Sequence, residues 1–585
     1  WKEIQLDKIK EELSNTIDQS DYDTLKKNIE SIFENQLNDP DYARKIYLIE
    51  NCLFGVDIQP IAMQITKLRF FVSLLVEQEI DKAKDNLGII ALPNLETKFV
   101  AANTLIDLPG KIKKGLSYTI KNPKIEELEI KLEKVREEHF NARTPKTKKK
   151  KRVLDNQIRQ KIAELLISDG IPNETVEAIL SWNPYQTNSF SKWFDSEWMF
   201  GVKNGFDVVI GNPPYVSVKA ISKEFKRYFS KKFLSGRGRL NLYTLFVEQG
   251  FNMLKNRGVL AYIIPDNLYS NKEYRFTREL IIENTVIHNI CLFNERVFKA
   301  SVDTAVLLFS KNSKLNNTIN VTLGINNNHT KLKQKQIKKY PYYIMPVKAR
   351  KDKLDLVNKI LFRPKRFKLK DFIEIQQGII YSGQSKKEVF SNKKIDKTYK
   401  KCLDGRDILK YKINWNEKLD NKYIRYTKNL HRPRNERLFL SDKKILMPRK
   451  ATDLYGCIDY EQFYALNTAY ILLKKKKVSD ELEIFLSFIN SKLYNFIYKQ
   501  LYFGWQITIP ALQHLPVELG NRKICNSITR IVKKRLNSES NKIDLEFKID
   551  VLIFKLYELT YEEVLIVDPA FSLSKEEYEN YKIEG

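Results

Sequence analysis

The segment Phe206-Asp-Val-Val-Ile-Gly-Asn-Pro-Pro-Tyr215 decides the fold. Its first five residues are mainly apolar, which predicts a buried strand over 206–210 that ends at Gly211. The two prolines that follow fix φ near about −65° and remove two N–H donors. The strand therefore ends in a corner whose carbonyls point outward without competing donors.

The side chains of this corner suit a planar group that carries an NH2. The Asn212 oxygen and the Pro213 carbonyl can each accept one amino hydrogen, and Tyr215 can stack on the ring. Pro214 completes the corner. Ligands in open α/β sheets bind beyond the carboxyl ends of strands, so we predict a catalytic site at 212–215. The alternative is a plain Pro-Pro turn that closes a strand.

Apolar strands alternate with helices on both sides of this segment. Such alternation predicts an α/β fold with a mostly parallel sheet. The predicted strands are 53–57, 98–102, 258–265, 286–293 and 304–309, and the predicted helices include 60–79 and 240–255.

Composition divides the chain into five predicted segments. They are 1–110, 111–200 (a charged helical insertion), 201–330 (the catalytic part), 331–520 (a basic domain) and 521–585 (a helical tail). The lysine run in 145–152 is predicted to be a solvated loop between two helices, with contact to a nucleic-acid backbone as the alternative. The polar stretch 311–345 is predicted to be a linker.

The positive charge is concentrated in one part of the chain. The whole sequence of 585 residues has a net charge of +29, and residues 331–450 hold 36 basic and 12 acidic side chains. This local excess indicates a domain that faces a polyanion. A lysine-rich genome composition is the alternative explanation.

The sequence also argues against several classes of protein. The five cysteines are scattered and form no CxxC pair, which predicts neither a disulfide scaffold nor a zinc site, and no other metal site is expected. No run of about 18 apolar residues is present, and no signal peptide is visible, so we predict a cytoplasmic protein. The five histidines form no visible triad with a nucleophile.

Together these motifs resemble those of the S-adenosylmethionine (SAM)-dependent DNA methyltransferases of the adenine-N6 type. The closest likeness is to the large Eco57I/TaqI-like restriction-modification enzymes that carry their own target-recognition domain. The resemblance rests on 206–215, with weaker matches at 53–60, 102–105, 258–265 and 297–306. It implies a Rossmann-like SAM-methyltransferase sheet with a helical insertion, followed by an α+β target-recognition domain.

The resemblance also implies roles for single residues. Asp57 would take the ribose hydroxyls of SAM, Ile58 would pack on the SAM adenine, and Asn103 would lie near that adenine. Phe298 would pack against a target base flipped out of double-stranded DNA. The alternatives are a helix N-cap for Asp57, an ordinary loop residue for Asn103 and a core side chain for Phe298.

The basic segment resembles the specificity domains of the same enzymes. Short phrases in the same order support this likeness, at 375–383, 403–408, 445–450, 466–470, 488–493 and 512–516. Lysine and arginine neutralise DNA phosphates, and a subset of them read base edges. The predicted DNA-binding residues are Arg406, Arg432, Arg434, Arg449 and Lys450.

One motif of the family is missing. Its SAM site begins with a Gly-rich loop, but Gly55 is the first glycine of this sequence. We therefore expect that the chain lacks its N-terminal part. An upstream or separate chain would then complete the SAM site or supply a nuclease.

Two other functions stay open at this point. The methyl acceptor could be another amino group, such as cytosine N4, an RNA base or a protein glutamine. Alternatively, the chain could be a DNA-recognition subunit without catalysis, within a restriction-modification or phage-defence system.

Overall fold

The structure is a computed structural model that describes residues 40–583. The residues left undescribed within that range are 79, 81, 84–86, 88, 90–91, 110–121, 187, 218–221, 239, 294–302, 313–316, 325–326, 365–366, 382–385, 417–420, 428, 503–505 and 539. The chain divides into two compact units between Phe206 and Asp207. The first unit ends at Phe206, and the second unit begins at Asp207.

A short parallel strand pair lies at the start of the first unit. The elements are α1 (Pro40–Asn51), β1 (Gly55–Asp57), α2 (Pro60–Leu75) and β2 (Phe99–Ala101). Asp57 is opposite Ala101 in the pair. Helix α2 begins at Pro60, where a missing N–H costs nothing, and its Met63 and Leu74 pack on Phe99 in a small core. The predicted helix 60–79 is therefore confirmed but is shorter at its C-terminal end.

Four helices follow in the first unit. They are α3 (Pro123–Phe140), α4 (Pro145–Ser168), α5 (Asn173–Ser181) and α6 (Ser196–Phe200). The buried carboxylate of Asp155 joins α3 to α4, because it accepts from Arg136 Nε at 3.0 Å and from Arg159 Nε at 2.7 Å. No helix in the described ranges has the length and apolarity needed to cross a membrane.

The lysine run 145–152 is helical, so the predicted loop is wrong. The run forms the first two turns of α4. Thr144 caps this helix, since its hydroxyl oxygen accepts the N–H of Thr147 at 3.2 Å, and Pro145 occupies the first turn. Lysine is a good helix former, and a charge run by itself does not distinguish a solvated helix face from a loop.

A six-stranded sheet is formed by strands within residues 206–333. Its order is β3-β4-β6-β5-β7-β8. Helices α7 (Lys223–Lys232), α8 (Leu242–Met253) and α9 (Arg275–Asn284) lie between the strands in sequence. The strands are β3 (Phe206–Gly211), β4 (Leu254–Pro265), β5 (Thr285–Leu292), β6 (Thr304–Lys311), β7 (Thr318–Leu323) and β8 (Asn327–Lys333).

The α/β class is confirmed, but the prediction of a mostly parallel sheet is wrong for this part. The β4–β6, β5–β6 and β7–β8 ladders are antiparallel, and β5–β7 is parallel. Buried strands have the same apolar pattern in either direction, so the sequence does not encode the direction.

The predicted linker 311–345 is wrong as well. Its residues form the end strands β7 and β8, which extend the sheet, then the short helix α10 (Gln334–Ile337). Polar residues alternate with apolar ones along most of β7, and β8 is polar at every position except Leu332. This polar composition made the stretch look like a linker.

Small sheets and short helices form the following basic segment. Its main sheet has the order β10-β19-β16-β17, and a second sheet has the order β11-β15-β12-β18. The strands of these two sheets are β10 (Ile373–Gln377), β11 (Phe390–Ser391), β12 (Tyr399–Leu403), β15 (Tyr423–Arg425), β16 (Lys444–Pro448), β17 (Cys457–Asp459), β18 (Tyr464–Ala465) and β19 (Ala469–Lys474). The pairs β13 (Ile408–Leu409)–β14 (Lys412–Ile413) and β9 (Phe367–Lys368)–β20 (Pro516–Val517) are two-stranded. Three helices lie among these strands, α11 (Lys351–Leu361), α12 (Leu369–Phe372) and α13 (Lys386–Val389).

The last part of the chain is helical and packs on the basic segment. Its helices are α14 (Leu482–Asn490), α15 (Lys492–Leu501), α16 (Ile509–Gln513), α17 (Arg522–Asn537), α18 (Lys542–Leu556), α19 (Tyr561–Val567) and α20 (Lys575–Glu579). Asp550 of α18 is buried and caps α15, because its carboxylate accepts the N–H of Lys492 at 2.9 Å. Burial raises the pKa of Asp550 to about 6, against the lowering effect of that hydrogen bond.

The raised pKa of Asp550 predicts a pH-dependent gain of stability in Asp550→Asn. The folded protein holds a proton that the unfolded chain releases near its ordinary pKa of 3.8, so wild-type stability falls as the pH rises through about 6. The amide keeps the acceptor for Lys492 and does not ionise. We expect the variant to melt about 3 °C or more above wild type near about pH 8, with a smaller difference near about pH 4.

The matched control is Asp544→Asn on the same helix. Asp544 is exposed and pairs with Lys548. Its removal should change the melting temperature little at either pH. A gain for Asp550→Asn that does not grow with pH would contradict the assignment.

Candidate functional site

The predicted corner lies at the carboxyl end of β3. Asn212 and Pro214 are exposed, Pro213 is buried, and Tyr215 is half-buried. The Tyr215 hydroxyl lies 3.1 Å from Asn212 Oδ1 and 3.2 Å from the carbonyl oxygen of Ile263, and it donates towards both. Ile263 belongs to β4, so the hydroxyl ties the corner to the neighbouring strand of the sheet.

A buried aromatic ring packs against the ring of Tyr215. Tyr243 contacts it edge-on, with ring centroids 6.3 Å apart and an interplanar angle of 87°. The Tyr243 hydroxyl donates to Asn267 Oδ1 at 2.9 Å. Burial raises the pKa of both tyrosines further above the usual value of 10.0, and both hydroxyls act as donors.

The contacts of this corner determine what it can bind. Asn212 Oδ1 has two lone pairs, and the Tyr215 hydroxyl uses one of them. The second lone pair is available to an incoming NH2 group. The corner thus presents a fixed amide acceptor beside an aromatic ring. The support from Tyr243 and Asn267 was not predicted, because no local motif links these residues to 212–215.

The residues predicted to hold the cofactor lie in the first unit. Asp57 ends β1 and is exposed, and one of its carboxylate oxygens accepts the N–H of Gln59 at 2.7 Å. The N-cap of α2 is Gln59 itself. The other oxygen, Oδ2, has no hydrogen-bond partner among the residues that the structure describes. Ile58 is 56% exposed and can cover an apolar ring.

Asn103 follows β2 and takes part in a local turn. Its Oδ1 accepts the N–H of Leu105 at 3.1 Å, and its backbone N–H donates to the Ser191 carbonyl at 3.0 Å. The segment around Ser191 thus runs beside the end of β2, which was not predicted from the sequence. A narrow cleft opens here, lined by side chains of α2, by Ala101 and by residues of 182–189.

These residues fit SAM in part. A strand-end carboxylate with a spare acceptor suits two ribose hydroxyls, and an exposed isoleucine beside it suits an adenine face. Asn103 Oδ1 accepts one backbone N–H and keeps a second lone pair, and its amide nitrogen can act as a donor. Phe298, the predicted base-stacking residue, lies outside the described residues.

The described parts of the chain hold no cluster of three or more His, Cys, Asp or Glu placed to bind a metal ion.

The loop 466–468 between β18 and β19 lies at the centre of the predicted basic residues. Arg449 donates its backbone N–H to the Thr468 carbonyl at 2.8 Å. Gly405, next to Arg406, donates its N–H to the Thr468 hydroxyl at 3.0 Å. Lys450 follows Arg449 directly and is exposed.

The other two arginines reach the same loop through the segment 378–380. Arg432 exchanges backbone hydrogen bonds with Ile380, and Arg434 Nε donates to the Gly378 carbonyl at 3.2 Å. Ile379, between these two positions, pairs with Leu466. The structure therefore brings all five predicted basic residues to one edge of the basic segment.

Their side chains differ in how they are used. The Arg406 side chain is 92% exposed and forms an ion pair with the Asp404 carboxylate. The Arg432 side chain is exposed and forms no hydrogen bond or ion pair with any residue that the structure describes. Arg434 and Arg449 are half-buried. Burial and the neighbouring Arg432 charge lower the pKa of Arg434.

Known families match both parts of the chain. The Eco57I restriction-modification methylase family matches residues 51–298, and the TaqI-like C-terminal specificity domain matches residues 400–517. RM.MjaORFECS2P of Methanocaldococcus jannaschii is 24% identical over 599 residues, which cover 88% of this chain and 49% of that protein. The type II methyltransferase M.HincII of Haemophilus influenzae is 24% identical over 424 residues, or 60% of this chain and 82% of that protein.

Among solved structures, the type IIL restriction-modification enzyme MmeI in complex with DNA aligns with a TM-score of 0.48 at 12% identity, covering 94% of this chain and 76% of that one. The predicted resemblance to Eco57I/TaqI-like restriction-modification enzymes with their own target-recognition domain is confirmed. The chain therefore carries an Eco57I-like restriction-modification methylase domain followed by a TaqI-like C-terminal specificity domain, and its relatives are type II restriction-modification methyltransferases.

Proposed function

We propose that this chain is a site-specific DNA adenine-N6 methyltransferase of a restriction-modification or phage-defence system. It would transfer a methyl group from SAM to an adenine flipped out of double-stranded DNA. The chain spans 49% of the length of its Methanocaldococcus relative, so the activity of a longer protein is part of the proposal. The observation that carries the proposal is the corner at 212–215, where a tyrosine hydroxyl fixes an exposed amide acceptor.

Asn212 and Pro213 bind the reacting amino group in this proposal. The adenine NH2 donates one hydrogen to the free lone pair of Asn212 Oδ1 and the other to the Pro213 carbonyl. These two bonds orient the nitrogen and localise its lone pair. Tyr215 and Phe298 hold the ring between them. The amino nitrogen becomes cationic when it accepts the methyl group, and it then releases one of its protons to water. No nucleophilic side chain is required.

The cofactor would be held by the first unit. SAM supplies an electrophilic methyl group when it is bound. The proposal assigns its ribose hydroxyls to Asp57, its adenine face to Ile58, and the adenine edge to the amide nitrogen of Asn103. This assignment is supported by the exposure of Asp57 and Ile58 and by the spare carboxylate oxygen of Asp57.

The number of basic side chains and their position in the chain favour DNA as the acceptor of the methyl group. Residues 331–450 hold 36 basic and 12 acidic side chains, and Arg406, Arg432, Arg434, Arg449 and Lys450 lie around one loop. A protein acceptor would not need this surface. Asparagine rather than serine at position 212 favours adenine over cytosine N4.

The first test is Asn212→Ala. Loss of the amide acceptor should lower kcat for methyl transfer by a factor of about 100–1,000, because the bonds it makes orient the reacting group. The Kd for DNA should stay within about threefold. Tritium transfer from labelled SAM and a DNA-binding titration measure the two quantities. Asn284→Ala, an exposed helix-end residue, is the control. Full methylation by the Asn212 variant would refute the proposal.

The second test is Tyr215→Phe, which keeps the ring and removes the hydroxyl. Asn212 then loses the donor that fixes its amide. One neutral hydrogen bond is worth about 1 kcal/mol, so kcat should fall by a factor of about 5–10 while the Kd for DNA is unchanged. Tyr215→Ala should be much worse, because it also removes the stacking surface. Equal activity of the Phe and Ala variants would contradict these separate roles.

The third test concerns DNA affinity. Arg432→Ala should weaken binding to every duplex and reduce the slope of log K against log salt by about 1, as expected for one phosphate contact. Binding titrations at several salt concentrations measure the slope. Lys523→Ala is a matched change of charge in α17, outside the basic segment. The same loss of slope in both variants would mean that the basic residues around the loop 466–468 contribute no more to DNA binding than Lys523 does.

A further inference from the structure

A cleft of the second unit opens along one face of α15. Its volume is about 610 Å³, within the range of about 300–1,000 Å³ that small-molecule sites occupy. The helix contributes side chains spaced three and four residues apart, which are Lys492, Asn495, Phe496, Lys499 and Gln500. The other walls come from the turn 409–410, the loop 453–455, the end of α19 and Lys353 of α11. None of these residues has a role in the proposed methyl transfer or DNA contact.

The floor of the cleft is apolar. Leu454 and Phe496 are buried, and Ile566 is half-buried. Tyr455 is half-buried as well, and its hydroxyl forms no hydrogen bond with any residue that the structure describes. Aromatic faces beside aliphatic side chains suit a planar ring. The floor therefore fits the ring of a ligand.

The lysines of the cleft outnumber the carboxylates that pair with them. Four lysines line it, and carboxylates match three of them. These pairs are Lys410–Glu546 at 2.8 Å, Lys492–Asp568 at 2.5 Å and Lys499–Asp453 at 2.5 Å. The fourth, Lys353, is half-buried and forms no ion pair or hydrogen bond within the described part of the chain. A cation partly withdrawn from water gains from an anionic partner, so Lys353 offers a place for an anion.

Gln500 supplies a directional polar group in the same cleft. It is half-buried, and its side-chain amide makes no hydrogen bond to the residues that the structure describes. The amide carries two donor hydrogens and an acceptor oxygen. Gln500 lies about one turn after Phe496 on α15. A ring that rests on Phe496 would therefore bring its polar edge towards this amide.

We propose that the cleft is a binding site for a nucleoside monophosphate. Lys353 binds the phosphate, and Lys492 and Lys499, whose side chains are about half exposed, share its second negative charge. The base lies on Phe496 and Tyr455, and the Gln500 amide bonds its edge. A dianionic group, a flat ring and an edge with both donors and acceptors occur together in nucleotides. A free nucleotide and the 5′-terminal nucleotide of a DNA strand share this chemistry.

The test titrates the full chain with guanosine 5′-monophosphate by calorimetry. A guanine nucleotide is used because an adenine nucleotide would compete for the proposed cofactor site beside Asp57. We expect one nucleotide to bind per chain with a Kd between about 10 μM and 1 mM. Asp57→Ala should bind it with the same Kd.

Substitutions in the cleft separate the contacts. Lys353→Gln should weaken binding of the nucleotide by a factor of about 10–100, because it removes a charged hydrogen bond. Guanosine, which lacks the phosphate, should bind the wild type and this variant equally. Gln500→Ala should weaken both ligands by a factor of about 5. Lys523→Gln, at an exposed position of α17, is the matched control and should bind like the wild type.

Three results would overturn the site. They are the absence of saturable binding up to about 10 mM nucleotide, equal weakening in Lys353→Gln and Lys523→Gln, and loss of binding in Asp57→Ala. Equal weakening would show attraction to the net charge, and loss in Asp57→Ala would place the nucleotide in the cofactor site.

A competition experiment identifies the source of the nucleotide. Displacement of guanosine 5′-monophosphate by a 5′-phosphorylated oligonucleotide would support the site with a DNA end as its ligand. Binding that the oligonucleotide does not displace would support it with a free nucleotide. Neither titration measures methyl transfer, so the site and the proposed function are tested separately.

Discussion

The hydrogen bonding of the Tyr215 hydroxyl is the interaction on which the corner at 212–215 depends. The hydroxyl lies within hydrogen-bond distance of both the Asn212 side chain and the Ile263 carbonyl. Two prolines make the corner stiff but remove the backbone donors that could anchor it to the sheet. A side-chain hydroxyl therefore supplies the anchor.

In the basic segment, hydrogen bonds within the protein order some of the arginine side chains. Its arginines are long and flexible, and ordering one of them costs about 1–2 kcal/mol of side-chain entropy. Hydrogen bonds to Gly378, Asn467 and Gln506 already order the side chains of Arg434 and Arg449 in the folded chain. Part of their side-chain entropy is therefore lost on folding. The Arg432 side chain, in contrast, stays exposed. The excess charge of residues 331–450 thus includes arginines that are fixed within the fold and an arginine that remains at the surface.

Several elements could be predicted because their signal is local. The strand 206–210, the Pro-Pro corner and the helix that begins at Pro60 all follow from apolar runs and proline positions within about ten residues. The predicted burial of that strand is wrong, because Val208 and Ile210 are exposed. The errors have a common cause. The direction of β6, the sheet strands in 311–345 and the helical lysine run 145–152 depend on what packs beside them. Composition alone does not contain that information.

The sequence by itself determined the chemistry: an amide acceptor beside an aromatic ring at a strand end, and a basic domain after it. These follow from residue types and short spacings, which act through covalent geometry and side-chain functional groups. Only the tertiary structure decided which side chains are fixed and which are free. Tyr243 supports Tyr215 from a distant helix, and Arg449 holds Gln506 across two strand ends. Such pairs are made by packing between segments far apart in the chain, so no local pattern predicts them.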